Sequence, residues 1–307
     1  MSRSDLRIIS LIPSATEIVA ALGCGGYLVG RSHECDYPER VQDLPVCTAA
    51  NLNSDRPSRV IHDQVTELLQ SALGIYRLDL DQLKDLQPTH IVTQAQCEVC
   101  AVSLADVEQA LTQITDQTTQ VISLQPSLLA HVWQDMERVA IALGYDSQSI
   151  VQQLQTRIKN CQQQLQDLEH RPTVACIEWT DPLMIAGNWV PELVDLAGGV
   201  PCLGTVGQHS SWLTWEQLLV ANPDIIVCMP CGFNLEQTAQ ATQELAQKPQ
   251  WQQLKAVQNQ QVYLTDGNQY FNRPGPRLVD SMELLAEIFH PHIFPPRYAG
   301  HGWLKFY

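Results

Sequence analysis

Short apolar runs that stop at proline, glycine or a polar cluster alternate along the chain with longer stretches whose apolar residues recur every three or four positions. That alternation predicts strands and helices taking turns, the arrangement of an α/β protein. The first run, Leu6 to Ile12, reads as a strand. It leads into a helical Pro13 to Gly23, where Ser14 and Glu17 have the spacing of a capping box and Gly23 that of a stop. Tyr27 to Gly30 reads as a short strand, and residues 45 to 60 read as loop on Pro45, Asn51, Asn53 and Pro57. A helix over Asp79–Leu86, a strand over Thr89–Thr93, a helix over Leu104–Ile114 and a strand over Thr119–Leu124 follow. From Ser127 to Gly144, and again from Asp146 to about Leu168, apolar positions such as Val151, Leu154, Ile158 and Leu165 keep helical spacing with almost no glycine or proline. These helices are expected to join two halves as a stiff strut.

The second half restarts the plan with a strand at Thr173–Glu178, a turn-rich stretch, a helix leading to Gly198-Gly199, a late strand at Val262–Leu264 and a last helix over Arg277–Phe289. Gln82-Leu83, Pro88 and Ile91-Val92 recur as Gln217-Leu218, Pro223 and Ile226-Val227 at one constant offset, which points to an internal duplication. The expected organisation is an N-terminal α/β lobe over 1–126, connector helices over 127–169, a C-terminal α/β lobe over 170–290 and a tail, 291–307, packing on the surface.

At 307 residues the chain is long enough for two such lobes, each with its own core. Its 18 basic against 33 acidic residues give a net charge of −15 with the cations scattered, which argues against nucleic acid as a partner. No apolar run approaches the ~20 residues that span a bilayer, so no membrane insertion is expected. Residues 1–5 run straight into the first strand without a separate apolar segment, and the location expected on that ground is cytoplasmic. Ten cysteines in such a setting are expected to be thiols or metal ligands, not a disulfide framework.

Two C-x-x-C pairs, Cys97/Cys100 and Cys228/Cys231, each follow a short apolar strand run. Two thiolates at that spacing grip one soft metal ion, and four would hold Zn²⁺ or an iron–sulfur cluster; equally, each pair could supply small buried residues at a tight turn. The sequence shows no nucleophile elbow, phosphate loop, dinucleotide fingerprint or H-E-x-x-H, so no catalytic set is expected.

The stretches Leu11–Gly23, Asp36-Tyr37-Pro38, Asn222–Val227 and Asp266–Arg277, in this order around the connector, resemble the cobalamin- and siderophore-binding members of the helical-backbone periplasmic binding protein family. The resemblance covers about residues 6 to 290. It implies two Rossmann-like α/β lobes joined by a long rigid helix, with a small-molecule ligand in a cleft lined by strand-end loops, the usual ligand position of open α/β sheets. Transporter docking is not carried over, since neither an export signal nor the family's acidic docking residues are matched here.

On that plan His33, Glu34, Cys35, Asp36 and Tyr37 lie on a cleft loop, where an imidazole and a thiol could reach one ion, or the imidazole could meet the cobalt or iron of a tetrapyrrole. Trp179, Trp189, Trp212, Phe233, Tyr270 and Phe271 offer apolar walls to a broad flat ligand, and Arg273 offers a guanidinium to its carboxylate, amide or phosphate. The functional expectation is a non-enzymatic binding protein for cobalamin or another metal tetrapyrrole. The alternative is a metalloprotein with Zn²⁺ or an iron–sulfur cluster on the four C-x-x-C cysteines, with His33 as a further ligand.

Overall fold

A computed structural model describes residues 5–70, 75–95, 104–114 and 119–307, so Cys97 and Cys100 lie outside the described residues. The chain forms two compact units: Met1–Asp55 with Asp63–Pro126 and Ala130–Gln152, and Arg56–His62 with Ser127–Leu129 and Gln153–Tyr307.

The first half runs β1 (Ile8–Ser10), α1 (Pro13–Ala21), β2 (Leu28–Arg31), β3 (Thr48–Ala50), α2 (Ser58–Gln70), β4 (Tyr76–Leu78), α3 (Leu80–Leu86), β5 (His90–Gln94), α4 (Leu104–Ile114), β6 (Gln120–Leu124), α5 (Leu129–Leu143) and α6 (Gln148–Gln164). Strands β2-β1-β5-β6 make a parallel sheet, with Ser10 opposite Val92 and Thr93 opposite Ser123. Ile9, Leu11, Ile91, Leu83 and Val107 fill a core between this sheet and the helices on one face. Between Pro45 and residue 60, expected as loop, β3 pairs antiparallel with β4 and α2 begins at Ser58. The asparagines and Pro57 mark only the turn that links them. Helices α5 and α6 are separate because Gly144 takes a φ of +72° after α5, a conformation that ends a helix.

The second half runs β7 (Thr173–Thr180), β8 (Leu183–Ile185), α7 (Val190–Leu196), β9 (Val200–Pro201), β10 (Ser211–Trp212), α8 (Trp215–Ala221), β11 (Ile225–Cys228), α9 (Leu235–Leu245), α10 (Lys255–Gln258), β12 (Val262–Thr265), α11 (Leu278–Phe289) and β13 (Trp303–Lys305). The sheet order is β10-β8-β7-β11-β12-β13, with β9 also on β7; β7, β11 and β12 are parallel. Residues 291–307 do more than lie on the surface: β13 adds an antiparallel edge to β12.

The duplication has a structural counterpart. Helices α3 and α8 are both seven residues long and start at positions related by 215 − 80 = 135. Their N-caps, Asp79 and Thr214, each accept from the backbone N–H three residues on, and both helices end on a left-handed residue, Gln87 (φ 44°) and Asn222 (φ 39°). The strands that follow begin at His90 and Ile225 with the same offset. The C-x-x-C pairs do not obey it, since 228 − 97 = 131, so their thiols are not equivalent positions of the two copies.

Asp224, just ahead of β11, ties three elements together. Its carboxylate accepts from the Thr173 N–H (2.9 Å) and hydroxyl (2.7 Å) and pairs with Lys255. Burial pushes its pKa up, but the Lys255 and Thr173 hydrogen bonds prevail and hold it at about 2, below its ordinary 3.8. A depressed folded pKa contributes stability that is present above the unfolded value and is lost as pH falls through the folded one. Asp224→Asn should therefore lower stability at neutral pH and flatten its fall between about pH 4 and 2, read as urea midpoints across that window.

Candidate functional site

Strand β1 ends at Ser10 and α1 starts almost at once, with Pro13 in its first turn and Ile12 as an N-cap whose side chain makes no capping hydrogen bond. The predicted capping box is absent because the helix begins ahead of Ser14: proline's fixed φ suits the first helical position and moves the start back. Ser14 is then the second helical residue, 1% exposed, and its hydroxyl has no protein partner. The loop after β2 carries His33 to Tyr37. His33 is gripped twice by Thr48 on β3, whose hydroxyl oxygen lies 3.0 Å from the His33 backbone N–H and 2.7 Å from Nδ1. The Thr48 hydroxyl itself donates to Ser32 Oγ at 3.1 Å. Tyr76 on β4 packs its ring 5.5 Å from the imidazole and donates from its hydroxyl to Glu34 Oε1 at 3.2 Å. Burial, then the Arg31 guanidinium, lower the His33 pKa below its ordinary 6.5, so the ring is neutral at pH 7.

The other loop residues divide. Cys35 is buried, 3.0 Å from the Thr16 hydroxyl. Asp36 accepts from Gln42 through its backbone carbonyl, and Tyr37 is 48% exposed. Neither Thr48 nor Tyr76 is legible as a site residue in the sequence, because each meets His33 only through the β3–β4 pairing.

In the second unit the carboxyl ends of β7, β11 and β12 gather Trp179, Phe233, Tyr270, Phe271 and Arg273. The Trp179 and Phe233 rings pack with centroids 5.3 Å apart. After β12 the chain winds a single π turn, Gly267–Phe271, capped by Asp266, whose carboxylate accepts from the Gln269 N–H at 2.7 Å. The Phe233 carbonyl accepts from Asn268 N–H at 3.1 Å, which fastens this turn to the loop after β11. Isolated π turns recur at functional sites. Arg273, 3% exposed, donates to Asn268 Oδ1 (3.1 Å), while Arg277 donates to Gln269 Oε1 (3.3 Å) and lies 4.8 Å over the Tyr270 ring. Trp189 is a brace, buried and donating from Nε1 to the Phe271 carbonyl at 2.9 Å. Trp212 stands apart on β10, 58% exposed, with its ring edge-on to His62.

Buried polar atoms without a protein partner mark where a fold leaves hydrogen bonds to be made. Those of Arg31, Thr93, Ser123 and Trp179 lie in the last residues of parallel strands and those of Ser14 and Asn272 in the segments that follow β1 and β12, while that of Gln64 lies on α2. A site held in this state trades stability for function. Ser14→Ala, which deletes one orphaned hydroxyl, should raise the stability of the ligand-free protein by about 1 kcal/mol, measured by denaturant unfolding.

The sulfur chemistry falls out differently from the expectation. Cys228 is fully buried in the apolar core with Ile177, Ile226, Trp251 and Leu264, and burial raises its thiol pKa to about 12. That setting favours the neutral thiol, and a thiolate ligand to Zn²⁺ or an iron–sulfur cluster requires the anion. Cys231 is partly exposed, and its N–H donates to the Glu178 carbonyl. Among the described residues no group of three or more histidines, cysteines or carboxylates is placed to hold a metal ion, and none of the helices is long and apolar enough to cross a membrane.

Two α/β units with polar and aromatic groups gathered at parallel strand ends define a substrate-binding protein fold, and the chain belongs to the periplasmic binding protein family, which it matches over residues 8–269. It is 26% identical over 289 residues to the vitamin B12-binding protein of Vibrio cholerae serotype O1, covering 91% of this chain and 87% of that one. Its fold is similar to the periplasmic heme-binding protein RhuT from Roseiflexus sp. RS-1 (22% identity, TM-score 0.68, covering 93% of this chain and 98% of that one). It is also similar to the periplasmic vitamin B12-binding protein BtuF of Vibrio cholerae (22% identity, TM-score 0.62, covering 93% and 96%). The family resemblance and the two-lobed α/β class read from the sequence are thus correct.

Proposed function

We propose that the protein binds a metal tetrapyrrole, cobalamin foremost, without transforming it, and serves its storage, handover or sensing. The observation that carries this reading is the group of aromatic side chains at the strand ends of the second unit, Trp179, Phe233, Tyr270 and Phe271, beside Arg273. A large ligand with an apolar ring and a polar rim of amides or carboxylates suits that group. The buried guanidinium of Arg273 suits a rim oxygen. The printed names of the relatives, vitamin B12-binding and heme-binding, support the same class of ligand. Protein purified under native conditions should carry such a ligand, identified by its absorbance and mass; a co-purified ligand of another chemical class would replace this reading.

A cytoplasmic location belongs to the same proposal. All eight described cysteines are free thiols, as a reducing compartment favours, whereas the RhuT and BtuF relatives are periplasmic by name. Cell fractionation decides it, and recovery in the periplasmic fraction would overturn it.

A further inference from the structure

The geometry points to Tyr298, in the C-terminal segment that follows the family match over residues 8–269, as a positioning residue of the proposed ligand site. It holds Tyr270 directly and Arg277 through Asp280, before any ligand arrives. This deepens the proposed function and rests on it.

Attachment of the tail does not require the Tyr298 side chain. Glu287 accepts from the backbone N–H groups of Arg297, Tyr298 and Ala299 and from Trp303 Nε1, and β13 pairs with β12. With its backbone fixed in this way, Tyr298 turns its side chain inward and is only 6% exposed. Its ring meets the Tyr270 ring edge-on, with centroids 6.0 Å apart and planes at 81°. Rings in that arrangement attract each other beyond the area they bury. The Tyr298 hydroxyl lies 2.8 Å from Glu283 Oε2 and 3.4 Å from Asp280 Oδ1, both on α11. Burial, and then the two carboxylates, push the phenol pKa up, so the hydroxyl stays a donor.

Asp280 passes the constraint on. Arg157 on α6 donates from Nη2 to Asp280 Oδ1 (2.5 Å) and Glu283 Oε2 (2.7 Å) and from Nε to Glu283 Oε1 (2.9 Å). Arg157 and Tyr298 thus hold the same Asp280 oxygen. The other oxygen, Oδ2, faces Arg277, whose Nε lies 3.8 Å away. Arg277 is thereby kept 4.8 Å over the Tyr270 ring, with Nη2 donating to Gln269 Oε1 at 3.3 Å. Ser281, the next residue after Asp280, donates from its hydroxyl to the Tyr270 carbonyl and ties the π turn to α11. The Tyr270 ring therefore has Tyr298 at its side and Arg277 over its face, and both lead to Asp280. An arginine with free rotamers loses entropy when a ligand orders it, and that loss weakens binding. Here the ordering is completed on folding, so a ligand meets a ring and a guanidinium already in place.

The test measures two quantities on the full chain: affinity for hemin and for cyanocobalamin by calorimetry, and hydrogen exchange of the ligand-free backbone over residues 266–277. Tyr298→Leu, which removes both ring and hydroxyl, should weaken binding of whichever probe the wild type takes by about tenfold, the loss of an aromatic pair and of preorganisation. Exchange over 266–277 should rise in the same variant. Tyr298→Phe, which keeps the ring against Tyr270, should recover most of the affinity. Asp280→Asn can keep its oxygen towards Arg157 and Tyr298 but turns an NH₂ group towards Arg277, and should weaken binding by about threefold. It decides the matter should the leucine form fold poorly. Asp224→Asn, which lowers stability from the amino end of β11, is the control and should bind as the wild type does. Wild-type affinity or unaltered exchange in Tyr298→Leu, or an equal loss of affinity in Asp224→Asn, would overturn the inference and leave the proposed function standing. Absence of binding of both probes by the wild-type protein would remove both.

Discussion

Replacing Glu287 by glutamine is expected to destabilise the protein by about 2–4 kcal/mol, although the side chain keeps its size. Glu287 lies on α11, 3% exposed, and its two carboxylate oxygens accept from the backbone N–H groups of Arg297 (2.9 Å), Tyr298 (2.9 Å) and Ala299 (3.1 Å) and from Trp303 Nε1 (2.8 Å). Every one of these partners is a donor. An amide supplies one acceptor oxygen and turns an NH₂ group towards donors that cannot receive it, so some of the four lose their partner inside the protein. The loss extends beyond α11, because Arg297–Ala299 and Trp303 position β13 on the sheet. Urea or thermal unfolding of Glu287→Gln beside the wild type measures this, and a loss under about 1 kcal/mol would show that the tail is held chiefly by other contacts.

Gly267→Ala is the second large effect, and it falls on binding. Gly267 opens the π turn after β12, and a Cβ there would sit 2.4 Å from the Pro230 carbonyl oxygen and 2.8 Å from Met229 backbone atoms. Backbone cannot step aside as the tip of a side chain can. The methyl must push the loop after β11 away from the turn that carries Tyr270, Phe271 and, two residues on, Arg273. Affinity for the proposed ligand should drop by about tenfold or more, since misplacement by an ångström at a preorganised site is costly. Gly232→Ala is the control: Gly232 has a φ of +78° but nothing within 4 Å of the new methyl. It should cost only about 1 kcal/mol of stability and leave binding near wild type. Wild-type affinity in Gly267→Ala would mean that these loops do not hold the ligand.

Much of the fold was readable because local signals and tertiary structure agree. The Leu104–Ile114 helix carries its own periodicity, and Asp79 with Gln82 announces the start of α3. Where local signals compete, the reading slips: Ser14 and Glu17 have capping-box spacing, but Pro13 claims the first turn. The tail strand β13 is invisible locally because its pairing with β12 spans some forty residues. The constant offset between the halves finds its counterpart in caps and left-handed stops, down to Gln87 and Asn222. The C-x-x-C pairs mislead because they look like a repeat and are out of step with it.

Site legibility follows the same rule. The loop from His33 to Tyr37 stands out by composition, yet what orients His33 is Thr48 and Tyr76, brought in by strand pairing. Tryptophans announce themselves without saying which way they face: Trp189 braces Phe271, and Trp179 packs on Phe233 with its indole N–H unpaired. A lone residue type cannot report whether its polar end is already satisfied by the fold.

The most direct measurement is a titration of the purified protein with cobalamins and hemin, followed by calorimetry and absorbance. The proposed function predicts saturable binding at micromolar concentrations or below for at least one of them. Neither heat nor a spectral change at micromolar concentrations would contradict the account.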